Sequence, residues 1–285
     1  MVKNIKGLAK QPNSNRHLAK RFKLLNRLSF GSYKEKTIIK ASGLKKMPYD
    51  LHDVEVTDSN CIFRAIINDN TSPFNSINRI KYNPSPSYIS RANMKGQGIA
   101  YYTCDLDISV IEACRDKLRN SSDREFYLTV SKWKIVKGVA VQIICNSQKA
   151  QSVGTDLIEF CKATNAKRRK DFKRKYYRTY SLKTRFIADQ YAKDDIACEK
   201  DYIISAIHSK TLLKSEKIDG VIYPSVGYMY KGFNYAIKPS LFDNSYFQLN
   251  EVAHVKVRFD KDFTKYPKIE VLKTTSTFSG DEIVW

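Results

Sequence analysis

The sequence predicts an α+β fold, and three observations lead there. EFYLTVSKW (125–133) and GVAVQII (138–144) alternate apolar and polar residues with the period of a strand. HLAKRFKLLNRLSF (17–30) instead repeats its apolar residues at helical spacing. Strands and helices then follow one another without the regular β–α alternation of a doubly wound sheet. With 285 residues the chain is long enough to bury a sizeable core.

Taken in order, residues 1–55 read as a basic, partly helical extension. Residues 1–50 carry thirteen Lys and Arg against Glu35 and Asp50. Leu18, Phe22, Leu25 and Leu28 share one helical face, with Asn15 as the expected cap and Gly31 as the expected stop. The spacing predicts a basic amphipathic helix on a mobile lead-in. Residues 56–285 form the main domain. CIFRAII (61–67) reads as a strand, and the Ser/Asn/Pro-rich run 68–90 as a long loop. A strand over 98–103 and a helix from about Asp107 to Leu118 come next, then the two alternating strands. A helical insertion follows over about 146–200. Its stretch 165–185 holds ten Lys and Arg with one Asp, and tyrosines 176, 177 and 180. A helix near 201–214 precedes three strand candidates, DGVIYPS, GFNYAIKP and VAHVKVRF.

The formal charge of +21 calls for an anionic partner: nucleic acid, a membrane surface or a phosphorylated ligand. Segments 1–50 and 165–185 are the candidates for nucleic acid, with the tyrosines placed to stack on bases. No apolar run reaches the ~18–20 residues of a membrane span. The start has no apolar stretch after its lysines, unlike a secretory signal. The six cysteines are scattered without C-x-x-C or a neighbouring His, which reads as reduced cytosolic thiols and no metal site. These features point to a cytoplasmic protein.

The run SRANMKGQGIAYY (90–102) raises the question of a nucleotide loop. A phosphate-cradling G-x-G follows a strand, opens a helix and has a third Gly three residues on. Tyr101 stands at that third position, polar residues precede Gly96, and a β-favouring run follows. The glycines therefore read as a turn feeding a strand, with Arg91 on one side and Tyr101 and Tyr102 on the other. Strand alternation lets one of those two tyrosines face a site.

Four further positions carry potential chemistry: Arg64 in CIFRAII, Arg91, Glu112 in DISVIEACR, and Ser225 in GVIYPSV. No His lies near a candidate nucleophile, so a Ser/His/Asp triad is not indicated. His254 falls on the polar face of its strand, opposite Ala253, Val255, Val257 and Phe259, and is expected to be exposed. A glycosidase needs a second carboxylate to protonate an alkoxide leaving group. One carboxylate suffices where the leaving group departs neutral, as nicotinamide does from NAD+. That step needs cations for the pyrophosphate, an aromatic surface, and a carboxylate opposite the developing oxocarbenium charge. Arg64, Arg91, Tyr101 and Glu112 are the right types.

In their order these pieces resemble the RES domain, the toxin half of RES–Xre toxin–antitoxin pairs, whose fold is related to ADP-ribosyltransferases. Phe63-Arg64 matches the family's opening strand, and Arg91-Ala92-Asn93 with Gly96 matches in part its Gly-Arg-aromatic-Asn motif. Tyr101 and Glu112 lie eleven apart, as the family pattern asks. DGVIYPSV and Gly232-Phe233-Asn234 match its last motifs, and the likeness spans about residues 56–245. Ser90 and Ala92 depart from it. The resemblance implies an ADP-ribosyltransferase-like mixed β core with flanking helices, NAD+ as substrate, no metal, and an Xre-type antitoxin as partner. It implies that Arg64 and Arg91 bind the phosphates and that Tyr101 packs on nicotinamide. Glu112 would stabilise the ribosyl cation, Ser225 would bond the nicotinamide-ribose end, and Asn93 and Asn234 would complete the pocket. Water as acceptor makes an NAD+ glycohydrolase and phosphate an NAD+ phosphorylase. A protein or nucleic-acid acceptor makes a mono-ADP-ribosyltransferase. Breakdown of NAD+ is favoured because Val110 stands where many protein-modifying transferases carry an acceptor-activating acid or amide. A non-catalytic basic nucleic-acid-binding module on the same fold is the alternative from another class.

Overall fold

The computed structural model describes residues 14–44, 54–56, 61–260 and 266–285. Residues 1–13 of the basic lead-in lie outside them. Helix α1 (Asn15–Asn26) buries Leu18, Phe22 and Leu25, the face that the spacing predicts. Its cap is Ser14, whose Oγ accepts the His17 N–H at 3.3 Å. Asn15, expected there, instead accepts from Thr179 Oγ at 2.9 Å. Helix α2 (Glu35–Ser42) follows, and the buried Arg21 of α1 donates to Ala41 O at 2.5 Å and Lys40 O at 3.2 Å at its C-terminal end. A cation there also meets the negative end of the helix dipole.

The remaining elements run in this order: β1 (Val54–Val56), β2 (Cys61–Ile67), α3 (Ile77–Lys81), β3 (Ala100–Thr103), α4 (Leu106–Asn120), β4 (Glu125–Ile135) and β5 (Val139–Ile143). The insertion supplies α5 (Gln148–Gln151), α6 (Asp156–Asp171) and α7 (Arg174–Tyr191). After a 3-10 turn over Glu199–Tyr202 come α8 (Ile203–Leu212), β6 (Gly220–Pro224), β7 (Phe233–Ile237) and α9 (Pro239–Asp243). The chain ends in β8 (Phe247–Arg258), β9 (Lys268–Thr275) and the short hairpin β10 (Phe278–Ser279) and β11 (Glu282–Ile283).

Nine described strands form one mixed sheet in the order β1-β5-β6-β7-β3-β2-β4-β8-β9. Only β5 and β6 run parallel among these pairs. At the centre, β2 and β3 share the single register pair Phe63↔Thr103 and then part. The sheet is forked there, and the fork decides where the site lies.

Three expectations are corrected. Residues 14–44 are not a lead-in standing apart. Leu18, Phe22, Leu25, Phe30 and Ile38 belong to one buried cluster with Phe186, Ile187 and Tyr191 of α7, and the Phe22 and Phe186 rings stack at 4.0 Å. An apolar helical stripe must be covered, and α7 covers it. Cys145, just beyond β5, is joined to Cys161 of α6, with Cα atoms 6.5 Å apart. The two are 16 residues apart in sequence, and proximity arises only when α6 folds back on the strand end. Cys61, Cys104, Cys114 and Cys198 are free. His254 is 8 % exposed rather than open to solvent. Its ring lies between those of Tyr127 and Trp285, because the C-terminal residues return across the face that alternation leaves polar. Ala253, Val255, Val257 and Phe259 are buried on the other face, as expected.

Candidate functional site

A cavity of about 590 Å³ opens at the fork between β2 and β3. Its walls come from those strands, α4, the loop around residues 86–93 and the 3-10 turn. Cofactor clefts measure roughly 300–1,000 Å³, so the cavity has room for one. A cleft bordered by Cys145, Tyr180 and His208 holds about 50 Å³ and is too small.

Glu112 projects from α4 into this cavity. The helix begins at Asp105, whose side chain accepts the Asp107 N–H at 2.8 Å, and buries Val110, Cys114 and Leu118 against β4 and β8. That leaves the Ser109, Glu112, Asp116, Arg119 stripe for the cavity, at the i, i+3, i+4 spacing of one helical face. Three donors converge on Glu112 Oε1: Ser225 Oγ at 2.5 Å, Asn234 Nδ2 at 3.1 Å and the Gly227 N–H at 3.2 Å. A Cβ on Gly227 would sit 3.0 Å from Glu112 Cδ, a tight contact that would press on the carboxylate. Charge-assisted bonds of this kind fix a carboxylate more firmly than neutral ones.

Arg64 reaches across the fork and donates to Tyr101 O at 3.1 Å, where a continued ladder would have placed a backbone N–H. Its Nε is buried without a partner. The side chain keeps some surface open to the cavity but is enclosed on most sides, and this burial pulls its pKa down from the ordinary guanidinium value. Arg91 is 7 % exposed, gives one nitrogen to Tyr191 O at 2.7 Å and lies 5.0 Å from the Tyr202 ring centre. Its Nη2 is also buried without a partner, as is Nη2 of Arg115, one turn along α4 from Glu112. Three arginines thus border one cavity, where an anionic ligand would meet their positive charge.

Tyr101 faces this cavity, and Tyr102 turns to the opposite side of the sheet. Tyr102 is 2 % exposed, stacks on Phe242 at 4.9 Å and donates to Lys81 O at 2.7 Å. The Tyr101 hydroxyl bonds Ser90 Oγ at 2.6 Å, Asn93 Oδ1 at 2.8 Å and the Ala92 N–H at 2.9 Å. Burial raises its pKa well above the ordinary phenol value. Its hydroxyl is therefore spent on the loop that carries Arg91, and its ring is what remains for a ligand. Gly96 adopts φ +73°, and a Cβ on Gly98 would meet Pro84 O at 2.7 Å. GQG is a tight turn packed on backbone, as its context predicts.

No family model matches the chain, and no curated protein matches it.

The structure gathers all seven candidate residues around the cavity but gives some of them different tasks. Ser225 is fully buried and stands behind Glu112, to which it donates a hydrogen bond, and not on the cavity surface. Asn93 is 1 % exposed, and its amide clamps Tyr88 O and Met94 O at 3.1 Å each. Asn234 spends Nδ2 on Glu112 and keeps Oδ1 buried without a partner. Sequence reasoning missed Arg115, Tyr202 and Tyr223. Tyr223 lines the cavity with its ring 5.2 Å from that of Tyr191. The spacing of Arg115 and Arg119 from Glu112 on one helical face was the available signal. Among the described residues no group of three or more His, Cys, Asp or Glu is placed to hold a metal ion, and no helix is long and apolar enough to cross a membrane.

Proposed function

We propose that the cleft binds NAD+ and that the protein cleaves its nicotinamide–ribose bond. The observation that carries this reading is the Glu112 carboxylate. It is fixed on one oxygen by three donors, in a cavity that arginines 64, 91 and 115 also line. In this reading the guanidinium groups hold the pyrophosphate and the Tyr101 ring packs on nicotinamide. Glu112 presents Oε2 to the ribose. As the C1′–N bond breaks, its electron pair passes to the pyridinium nitrogen and nicotinamide leaves neutral. The positive charge left on C1′ and the ring oxygen is opposed by Glu112, and an acceptor oxygen then bonds to C1′ and releases its proton. Stabilisation of developing charge by fixed groups in a water-poor site is worth roughly 10²–10³ in rate per group.

Breakdown with water or phosphate is favoured over transfer to a protein. Val110, two residues before Glu112, is fully buried in the cluster under α4, so that position offers the cavity no acceptor-activating group. A mixed sheet with flanking helices is compatible with an ADP-ribosyltransferase-like fold, and a RES-type toxin held in check by an Xre-type antitoxin is the biological setting that follows. The test is incubation of the purified chain with NAD+ while free nicotinamide is followed by chromatography, with and without phosphate. Release in water alone assigns a glycohydrolase, and release that requires phosphate assigns a phosphorylase. Release only with added protein assigns a transferase, and no release under any condition overturns the reading.

A further inference from the structure

A second groove, about 630 Å³, lies between α6 and α7, away from the residues of the catalytic reading. Its walls carry Lys162, Arg169, Lys170 and Arg185 together with Tyr177, and no carboxylate. A neighbouring cleft of about 530 Å³ between α1 and α7 shares Arg185 and adds Lys23 and Arg27, along with Asp189 and Asp195. Lys162 also pairs with Glu159 at 2.6 Å, but both are exposed, and such a pair yields easily to a phosphate.

Aromatic rings accompany the charge. Tyr177 stands at the groove wall, and near it in sequence Tyr176 is 64 % exposed and Phe172 46 % exposed. The Phe172 and Tyr180 rings stack at 5.8 Å, and Tyr177 lies 6.2 Å from Tyr180. Open rings beside cations are the combination that grips single-stranded nucleic acid: the cations follow the backbone and the rings take the bases. An acidic peptide would use the cations and leave the rings idle. A duplex has its bases already stacked, so it offers the open rings no face.

We propose that the α6–α7 groove binds single-stranded nucleic acid. Phosphates lie on Lys162, Arg169, Lys170 and Arg185, and a base stacks on Tyr177. Recognition is tolerant of sequence, because every base offers a ring face.

The test is fluorescence anisotropy on the full chain with labelled single-stranded RNA and DNA on the order of twelve nucleotides, within the site sizes of such grooves. The same sequence as duplex and unlabelled polyglutamate are the comparators. At least one single strand should bind about tenfold or more tightly than the duplex, and the better of the two identifies the sugar. Affinity should fall with salt at a log–log slope of about −0.7 per phosphate contacted. Arg169→Glu with Lys170→Glu should flatten that slope by about 1.4, for two lost contacts. Tyr177→Ala should weaken single strands about tenfold and leave the duplex unchanged. Both variants should melt near the wild type and keep its nicotinamide release, and Glu112→Gln should bind the strand as the wild type does. Failure here is therefore distinct from failure of the catalytic reading. Equal affinity for strand and duplex, displacement by polyglutamate at matched charge, or unchanged binding by folded Tyr177→Ala would each overturn the proposal.

Discussion

Replacing Glu112 by Gln and by Ala separates what this side chain does for the fold from what it does for the reaction. Its Oε1 accepts from Ser225, Gly227 and Asn234, and Oε2 receives none of those three bonds. Gln can turn its carbonyl oxygen to the same donors, so its amide NH2 replaces Oε2. The shape and all three hydrogen bonds survive, while the ligand-facing atom changes from charged acceptor to neutral donor. Nicotinamide release should then fall by roughly 10²–10³-fold, about 3–4 kcal/mol of transition-state stabilisation, with the melting temperature nearly unchanged. Ala abandons the three donors. Each costs about 1 kcal/mol, at the low end because the cavity admits water, so the melting temperature drops by roughly 5–10 °C. Steady-state kinetics and thermal melts on the three proteins give the comparison. Turnover by the Gln variant within about threefold of wild type would refute the electrostatic role. A Gln variant as unstable as the Ala one would refute the arrangement of donors.

Arg91→Lys can still reach Tyr191 O but cannot offer a second nitrogen in a fixed fork. The KM for NAD+ should rise about tenfold or more, whereas Lys167→Ala in the basic insertion should leave it unchanged; equal effects would point to diffuse attraction. A chain begun at residue 51 loses α1, α2 and the segment between them, whose Leu25, Phe30 and Ile38 are fully buried. It should lose cooperative melting and NAD+ cleavage together, and a truncated chain that keeps both would show that these helices are dispensable. His208 is held neutral by burial, with its pKa lowered from 6.5 to about 4. The unfolded chain therefore binds this proton more readily, so the stability is complete above the unfolded value and is lost as pH falls from 6.5 towards 4. The loss is about 2 kcal/mol between pH 7 and 5. Urea melts should show that slope in the wild type and a flatter one in His208→Gln; equal slopes would remove His208 as the cause.

What the sequence disclosed of this site follows the chain's own periodicities. Alternation along AYYT placed Tyr101 and Tyr102 on opposite faces. The turn at GQG was legible because a glycine at positive φ and one against backbone leave a local trace. Contacts across long separations left none. Ser225 and Asn234 lie 113 and 122 residues from Glu112, and nothing near them indicates that their donors meet one carboxylate oxygen. The same holds for Tyr191, whose carbonyl anchors Arg91 from 100 residues away. His254 was misjudged because alternation reports which face of a strand is polar, not whether a later segment covers it. The cysteine pair escaped because spacing alone is silent about how a helix returns to a strand end.

The basic insertion and the cleft share one helix, and this changes what the insertion means. The first two-thirds of α7 border the cationic groove with Tyr177, Ser181 and Arg185. Its last residues lie in the core: Phe186, Ile187, Ala188 and Tyr191 are all buried, and Phe186 stacks on Phe22 of α1. Tyr191 ends the helix with its carbonyl on Arg91 and its ring 5.2 Å from Tyr223. Tyr230 adds a hydrogen bond to Ala192 O at 3.0 Å, from the segment that follows Ser225. Removing residues 146–200 would therefore take away the cover of α1, the seat of Arg91 and one support of the Ser225 loop together. Dense local charge marks a solvated surface for much of α7, but the helix as a whole is a structural wall of the cleft. Basic composition describes the face a helix shows to water and says nothing of the face it buries.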